Sequence, residues 1–295
     1  MKFLIIGASG YVGSHCYNYI KSQEYEVIGT QFKSNLPNLV KFDLSKDKVG
    51  DVIDKSFFKG KDKTFGIIFG GVSQVERAFK EKELSYKINV VNTIKLIKDL
   101  VDMDFKPVYF SSAAVFEGNI GYYNEESPRE PKTEYGRQKL EVERFIEQNV
   151  PDAMIFRLDK VVGDDFSKRN LFFEWYNLME KNQPILCLKD QIFCPTYNDD
   201  IAKAVLISCE KNLSGAFNLA NTEIYPKKEL VRQFAIAVGK KPQIILKSQH
   251  DFGYSEFRPV RSFVDTTKFI EATGFNFTPI RDVFEKFKEK LKSNK

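Results

Sequence analysis

Three glycines set directly behind a short apolar run restrict this chain more than any other feature. Phe3-Leu4-Ile5-Ile6 stops at Gly7-Ala8-Ser9-Gly10-Tyr11-Val12-Gly13, and a helical pattern continues over Tyr11 to Lys21. A strand that turns through glycines into a helix can bring its backbone close to a pyrophosphate. The new helix aims free amides and its positive end at the phosphates, and the third glycine lets helix and strand pack tightly. Gly7, Ser9, Gly10, Tyr11, Val12 and Gly13 are therefore the expected cradle of a dinucleotide cofactor. The residues beyond this turn fit a parallel sheet: strands are expected at Glu26 to Thr30, Leu39 to Asp43, Phe65 to Phe69, Lys106 to Phe110 and Ala153 to Leu158, with helices around Leu84 to Asp102 and over Thr133 to Glu147. The expected fold is α/β, a doubly wound parallel sheet over residues 1–163 with a returning segment near 195–221. A smaller mixed α/β domain for the substrate is expected over 164–295, where prolines break the alternation.

At 295 residues, 42% hydrophobic and 29% charged, the chain has the composition of a globular protein with ample core. Its 45 basic and 40 acidic residues alternate along the sequence, so no nucleic-acid stripe is expected. The lysine-rich runs Lys59 to Lys63 and Lys286 to Lys295 read as solvated faces. Two histidines are too few for a multi-histidine metal centre, so no metal is expected. Four cysteines without a Cys-x-x-Cys pair read as reduced thiols of a cytoplasmic protein. Neither an export signal nor a membrane span is expected, because no apolar run has the needed length.

The second strand leads into Gly29-Thr30-Gln31-Phe32-Lys33-Ser34, where a carboxylate would suit a free adenosine 2'-hydroxyl. None stands there. Thr30, Lys33 and Ser34 lack repulsion toward a 2'-phosphate and offer donors for it, so NADP(H) is favoured and NAD(H) is the alternative; Lys33 facing solvent is the plainer reading of that residue. Asp43 and Leu44 suit either the adenine amine or a helix cap. Tyr135 and Lys139, four apart in Tyr135-Gly136-Arg137-Gln138-Lys139, share one helix face. An ammonium beside a phenol favours phenolate, which makes the pair a candidate acid-base device, although such pairs also arise on plain surface helices. Ser111 and Ser112 end an apolar strand at its carboxyl side, where ligands of open parallel sheets bind; Ser112 would either donate to a substrate carbonyl or cap a turn.

Taken in order, the glycine turn, Ser112 and the Tyr135/Lys139 pair resemble the extended short-chain dehydrogenase/reductase family, and Asn89 stands at that family's helix asparagine. The likeness narrows toward the dTDP-4-dehydrorhamnose reductases. Arg157-Leu158 through Val162-Gly163, Asn170-Leu171-Phe172, Asp190-Gln191-Ile192-Phe193-Cys194-Pro195-Thr196 and Arg258-Pro259 to Lys268 are similar to the corresponding stretches of those enzymes, so the likeness runs from residue 2 to about 275. It implies hydride transfer to C4 of a nucleotide-linked 4-keto sugar. Tyr135 would be the proton donor, Lys139 would bind the nicotinamide ribose, and Ser112 would polarise the keto oxygen. Asn170, Gln191, Thr196 and Arg258 would hold the nucleotide and its diphosphate. Gly70 and Gly71, where Asn-Ala-Ala is usual, would still admit the cofactor. Ala113 and Ala114 replace the acidic pair of related dehydratases and the cysteine of epimerase-reductases, which disfavours both reactions. Two alternatives remain: a nucleotide-sugar 4-epimerase with bound NAD, and a non-catalytic NADP-binding subunit resembling the methionine adenosyltransferase beta subunit. Relatives often form homodimers through the Tyr135 helix.

Overall fold

The computed structural model describes residues 1–293 except 55, 56, 58, 59, 61 and 167–169. Parts of both lysine-rich runs therefore lie outside the described residues. The first six strands are β1 (Lys2–Ile6), β2 (Glu26–Gln31), β3 (Leu39–Lys41), β4 (Thr64–Ile68), β5 (Phe105–Ser112) and β6 (Met154–Leu158). They are followed by β7 (Lys160–Val162), β8 (Ile185–Leu188), β9 (Ile192–Phe193), β10 (Pro195–Tyr197), β11 (Gly215–Asn218), β12 (Tyr225–Pro226) and β13 (Ile244–Lys247). Seven form one sheet in the order β11-β6-β5-β4-β1-β2-β3, and every pair in it is parallel. Strand order reverses between β1 and β4, so the carboxyl ends of these two strands open a crevice. The remaining strands pair two by two: β10 with β7, β12 with β9 and β13 with β8.

Helices cover both faces of the sheet, which explains why β1, β4 and β6 are apolar without alternation. One face packs Phe3, Ile5, Phe65, Ile67, Val108 and Phe156 against the helices Tyr11–Ser22 and Asn198–Glu210. The other packs Leu4, Ile6, Ile68, Tyr109 and Ile155 against Thr93–Asp102 and Glu134–Asn149. A separate aromatic cluster, with Phe172, Trp175, Phe234, Phe284 and Phe287, holds the elements after residue 160 together. All four cysteines are free and buried. Among the described residues no helix is long and apolar enough to cross a membrane, and no group of three or more His, Cys, Asp or Glu could hold a metal ion.

One expected helix differs in detail. The stretch read as running around Leu84 to Asp102 starts at Lys82 and passes through a π-helical segment, Lys87–Asn92, before continuing as Thr93–Asp102. A π turn rotates the buried face, so Val91 and Val101 are exposed while Ser85, Asn89, Asn92 and Thr93 are buried. Simple apolar spacing cannot anticipate that rotation.

The two helices flanking β1 are tied by a charged contact. His15 bonds Asp199 at 2.6 Å and Asp165 at 3.0 Å, and Tyr197 donates to the other Asp199 oxygen at 2.8 Å. Burial alone would lower the imidazole, but the two carboxylates outweigh it and raise it to about 9. A folded value above the unfolded 6.5 means that the stabilisation is complete below pH 6.5 and disappears as pH rises through 9. His15→Gln should therefore cost on the order of 2 kcal/mol at pH 6 and much less at pH 9.5, as read from urea midpoints. An equal cost at both values would contradict this assignment.

Candidate active site

A cleft of about 620 Å3 opens at the carboxyl ends of the central strands. That volume suits a ligand of cofactor or substrate size. Gly10, Tyr11, Val12 and Gly13 form its floor where β1 passes into the first helix. That helix begins at Tyr11 with no side chain capping its amides. A Cβ on Gly13 would lie 2.3 Å from the Gly7 carbonyl oxygen, so only glycine allows the helix this close to the turn. Thr30, 1% exposed, braces the turn from beneath by accepting the Gly7 amide at 3.1 Å. Its oxygen thus faces the protein interior under the turn.

The β4 end supplies Phe69, Gly70 and Gly71 to the cleft wall. Gly71 has φ +143, and a Cβ there would meet the Asn89 side-chain oxygen at 2.8 Å. Asn89 clasps the next residue, accepting the Val72 amide at 2.7 Å and donating to the Val72 carbonyl at 3.0 Å. It also donates to Gln138, three residues after Tyr135, at 2.8 Å. One buried amide thus fixes both the glycine wall and the Tyr135 helix, which accounts for glycine at position 71.

Ser112 is the last residue of β5, and its oxygen accepts the Ala114 amide at 3.2 Å. The turn-capping role of Ser112 is seen in this contact, and its hydroxyl also lies beside the Tyr135 phenol, which it lowers. Thr133 caps the helix Glu134–Asn149 through the Gly136 amide at 3.0 Å, which sets Tyr135 in the first turn facing Ser112. Lys139 lies one turn on, with Nζ donating to the Phe110 carbonyl at 2.7 Å and lying 4.7 Å from the Tyr109 ring centre and 5.8 Å from that of Tyr135. Burial pushes the Tyr135 phenol up to about 12 against the Ser112 bond, and pulls the Lys139 ammonium down to about 8 against the Glu143 charge. Without the cofactor desolvation dominates, and Tyr135 stands as a neutral phenol with a proton to give.

On the opposite wall lie Leu158, Asp159 and Lys160 at the β6 end, with Gln191, Lys227, Tyr254 and Arg258. Arg258 bonds Glu76 at 2.9 Å and stacks over Tyr254 at 4.7 Å, spanning the mouth. Of the residues anticipated from sequence, the cleft gathers Gly10, Tyr11, Val12, Gly13, Gly70, Gly71, Ser112, Tyr135, Lys139, Gln191 and Arg258. Gly7 and Ser9 lie in the turn below it. Lys33 is exposed with its ammonium 5.9 Å from the Phe32 ring centre, and the Ser34 carbonyl accepts Lys41. Asp43 accepts the Ser45 amide and hydroxyl at 2.9 and 2.7 Å in a turn that starts no helix, and neighbouring Leu44 packs on the core beside β1.

Two substrate candidates lie outside the cleft lining. Asn170 is buried as a helix cap, accepting the Phe172 amide and donating to the Asp165 carbonyl. Thr196 is fully buried in the β10 ladder. Neither lines the cleft. Sequence reasoning passed over Asp159, Lys160 and Lys227, whose signal is only three charged residues amid apolar segments that fold onto one wall.

A family model described as the RmlD substrate binding domain matches residues 1–293. The chain belongs to that family, an extended short-chain dehydrogenase/reductase group. It is 25% identical over 296 residues to the spore coat polysaccharide biosynthesis protein SpsK of Bacillus subtilis, covering 99% of this chain and 98% of that one. It is 27% identical to a dTDP-4-dehydrorhamnose reductase of Aggregatibacter actinomycetemcomitans, covering 92% and 93%. A solved dTDP-4-dehydrorhamnose reductase from Bacillus anthracis, in complex with NADP, shares the fold at TM-score 0.81 and 22% identity, with both chains fully covered. Ala114 lines the cleft beside Ser112 and brings no further proton carrier to it.

Proposed function

We propose that this chain is an oxidoreductase that uses NADP(H) to reduce the 4-keto group of a nucleotide-linked sugar. The observation that carries the reading is the meeting of Ser112, Tyr135 and Lys139 beside the uncapped glycine-turn helix in one cleft. The residues present fit a dinucleotide: free amides open the Tyr11–Ser22 helix, and the buried Ser111 hydroxyl on the cleft wall has no partner among the described residues. When bound, the nicotinamide supplies the hydride. Gly10 to Gly13 would receive the pyrophosphate, and Gly70 and Gly71 would let the cofactor lie close to β4. Tyr135 holds the proton a forming alkoxide would need, Ser112 would orient the keto oxygen beside the phenol, and Lys139 would hold a ribose hydroxyl of the cofactor. Residues 1–163 with 195–221 are the cofactor half in this reading, and 164–295 the substrate half.

NADP over NAD is supported by the end of β2. Gln31 stands there in place of an acid, and its amide is spent on the Leu36 and Leu39 backbone, so no carboxylate repels a 2'-phosphate. The reductase named in the B. anthracis complex also carries NADP. The 4-epimerase alternative calls for tightly held NAD, and the regulatory-subunit alternative has no use for an intact Ser112, Tyr135 and Lys139. Steady-state assays of NADPH and NADH with a panel of 4-keto nucleotide sugars test the reading. Stoichiometric oxidation of NADPH, faster than that of NADH, supports it. Copurified NAD with no net oxidation would replace it by the epimerase.

A further inference from the structure

Lys139 is half-buried, and burial works against its charge. Its Nζ donates to the Phe110 carbonyl at 2.7 Å, and no carboxylate among the described residues bonds it. Glu143, on the same helix, acts on it only as a field, because both Glu143 oxygens are taken by Arg157 and Arg129. Asp159, Lys160, Lys227 and Arg258 belong to the opposite wall of the cleft. What stands against the ammonium is an aromatic face. The Tyr109 ring, 1% exposed, has its centre 4.7 Å from Nζ, closer than the 5.8 Å of Tyr135. Tyr109 precedes in β5 the residue whose carbonyl Lys139 bonds, so one strand sets both contacts. A cation within about 6 Å of a ring centre is drawn to its negative face, most strongly where water is excluded. The Tyr109 hydroxyl has no partner among the described residues, so the ring is the part of the side chain that acts.

We infer that Tyr109 is a positioning residue for Lys139, its ring face standing in for a carboxylate and holding the ammonium at the cleft beside Tyr135. The inference rests on the reductase reading, in which Lys139 reaches the cofactor ribose as a cation, and deepens it. A carboxylate in the same place would also hold the ammonium, but its charge would push the neighbouring phenol further up and bind N–H groups in fixed directions. A ring attracts the charge without either effect, and leaves two N–H groups of Lys139 to turn toward a ribose hydroxyl.

Tyr109→Phe keeps the ring, and Tyr109→Leu replaces it with an apolar side chain that has no negative face. Labelling of Lys139 by an amine-acylating reagent, followed against pH by peptide mass spectrometry in the cofactor-free protein, reads the ammonium directly, since only the neutral amine reacts. Losing the ring makes the ammonium easier to deprotonate, so the midpoint of the curve should move to lower pH. Relative to its own high-pH plateau, Tyr109→Leu should label about fourfold faster than wild type at pH 6.5, and Tyr109→Phe should match wild type. A packing defect alone would change the plateau or the melting temperature and leave the midpoint in place. If the leucine variant does not fold, phenylalanines of increasing ring fluorination at position 109 keep the shape and drain the face, and the midpoint should fall with each fluorine. Coincident midpoints across the series, or a Tyr109→Phe curve that moves with Tyr109→Leu, would overturn the role of the ring. Shifted midpoints in a protein that oxidises NADPH with no 4-keto nucleotide sugar would instead overturn the reductase reading and leave the contact between ring and ammonium standing.

Discussion

Tyr135→Phe should lower kcat about a thousandfold while NADPH affinity stays within twofold. The ring remains to pack beside Lys139, 5.8 Å from its ammonium, and only the hydroxyl is lost. That hydroxyl carries the proton, since burial holds the phenol neutral up to about pH 12. A positioned general acid contributes about 10²- to 10⁴-fold, and its loss appears in kcat because the proton moves only in the transition state. Single-turnover rates with excess enzyme, alongside cofactor titration, separate chemistry from binding. A variant within tenfold of wild type would remove Tyr135 from the mechanism.

The second large effect lies one turn behind the site. Glu143 and Arg157 are both almost wholly buried, joined at 2.9 and 3.1 Å, and Arg129 adds a further bond to Glu143 at 3.0 Å. Arg157 also donates to the Glu125 carbonyl at 3.2 Å and stacks over Phe116 at 5.2 Å, so the cluster fastens the Tyr135 helix to β6. Glu143→Ala would strand the enclosed Arg157 guanidinium, while Arg129 keeps its paired bonds to Glu147. Removing one partner of such a pair costs about 3–5 kcal/mol, which is roughly a 10 °C fall in melting temperature for a chain of this size. Glu143 is also the charge that holds up the Lys139 ammonium, so the variant should lose activity at temperatures where it is still folded. A melting temperature within 2 °C of wild type would show that water or another group answers Arg157.

The residues legible in the sequence were those whose chemistry is local. A glycine turn behind a strand, a Tyr and a Lys four apart, and hydroxyls ending an apolar strand each carry their meaning within a few positions, and the fold brings all of them to one cleft. What stayed hidden depends on long-range packing. Thr30 reads as a free hydroxyl until Gly7 is found above it, and Asn170 reads as a ligand contact until its helix is seen to begin one residue later. Gly71 had no reason in the sequence because Asn89, the side chain it must clear, comes from a π-helical segment further along the chain. Lys160 and Lys227 are ordinary surface lysines by pattern. They come to line one cleft only through the placement of β7 and the Lys227–Ala237 helix.

Tracing the hydride itself tests the ketoreductase reaction with the fewest intervening steps. NADPH deuterated at the nicotinamide C4 position, incubated with the protein and a 4-keto nucleotide sugar, should yield a sugar with deuterium at its C4 carbon and one equivalent of NADP+, as read by mass spectrometry and proton NMR. A sugar that exchanges C4 configuration without gaining deuterium, or NADPH that remains intact with every sugar tried, would contradict it.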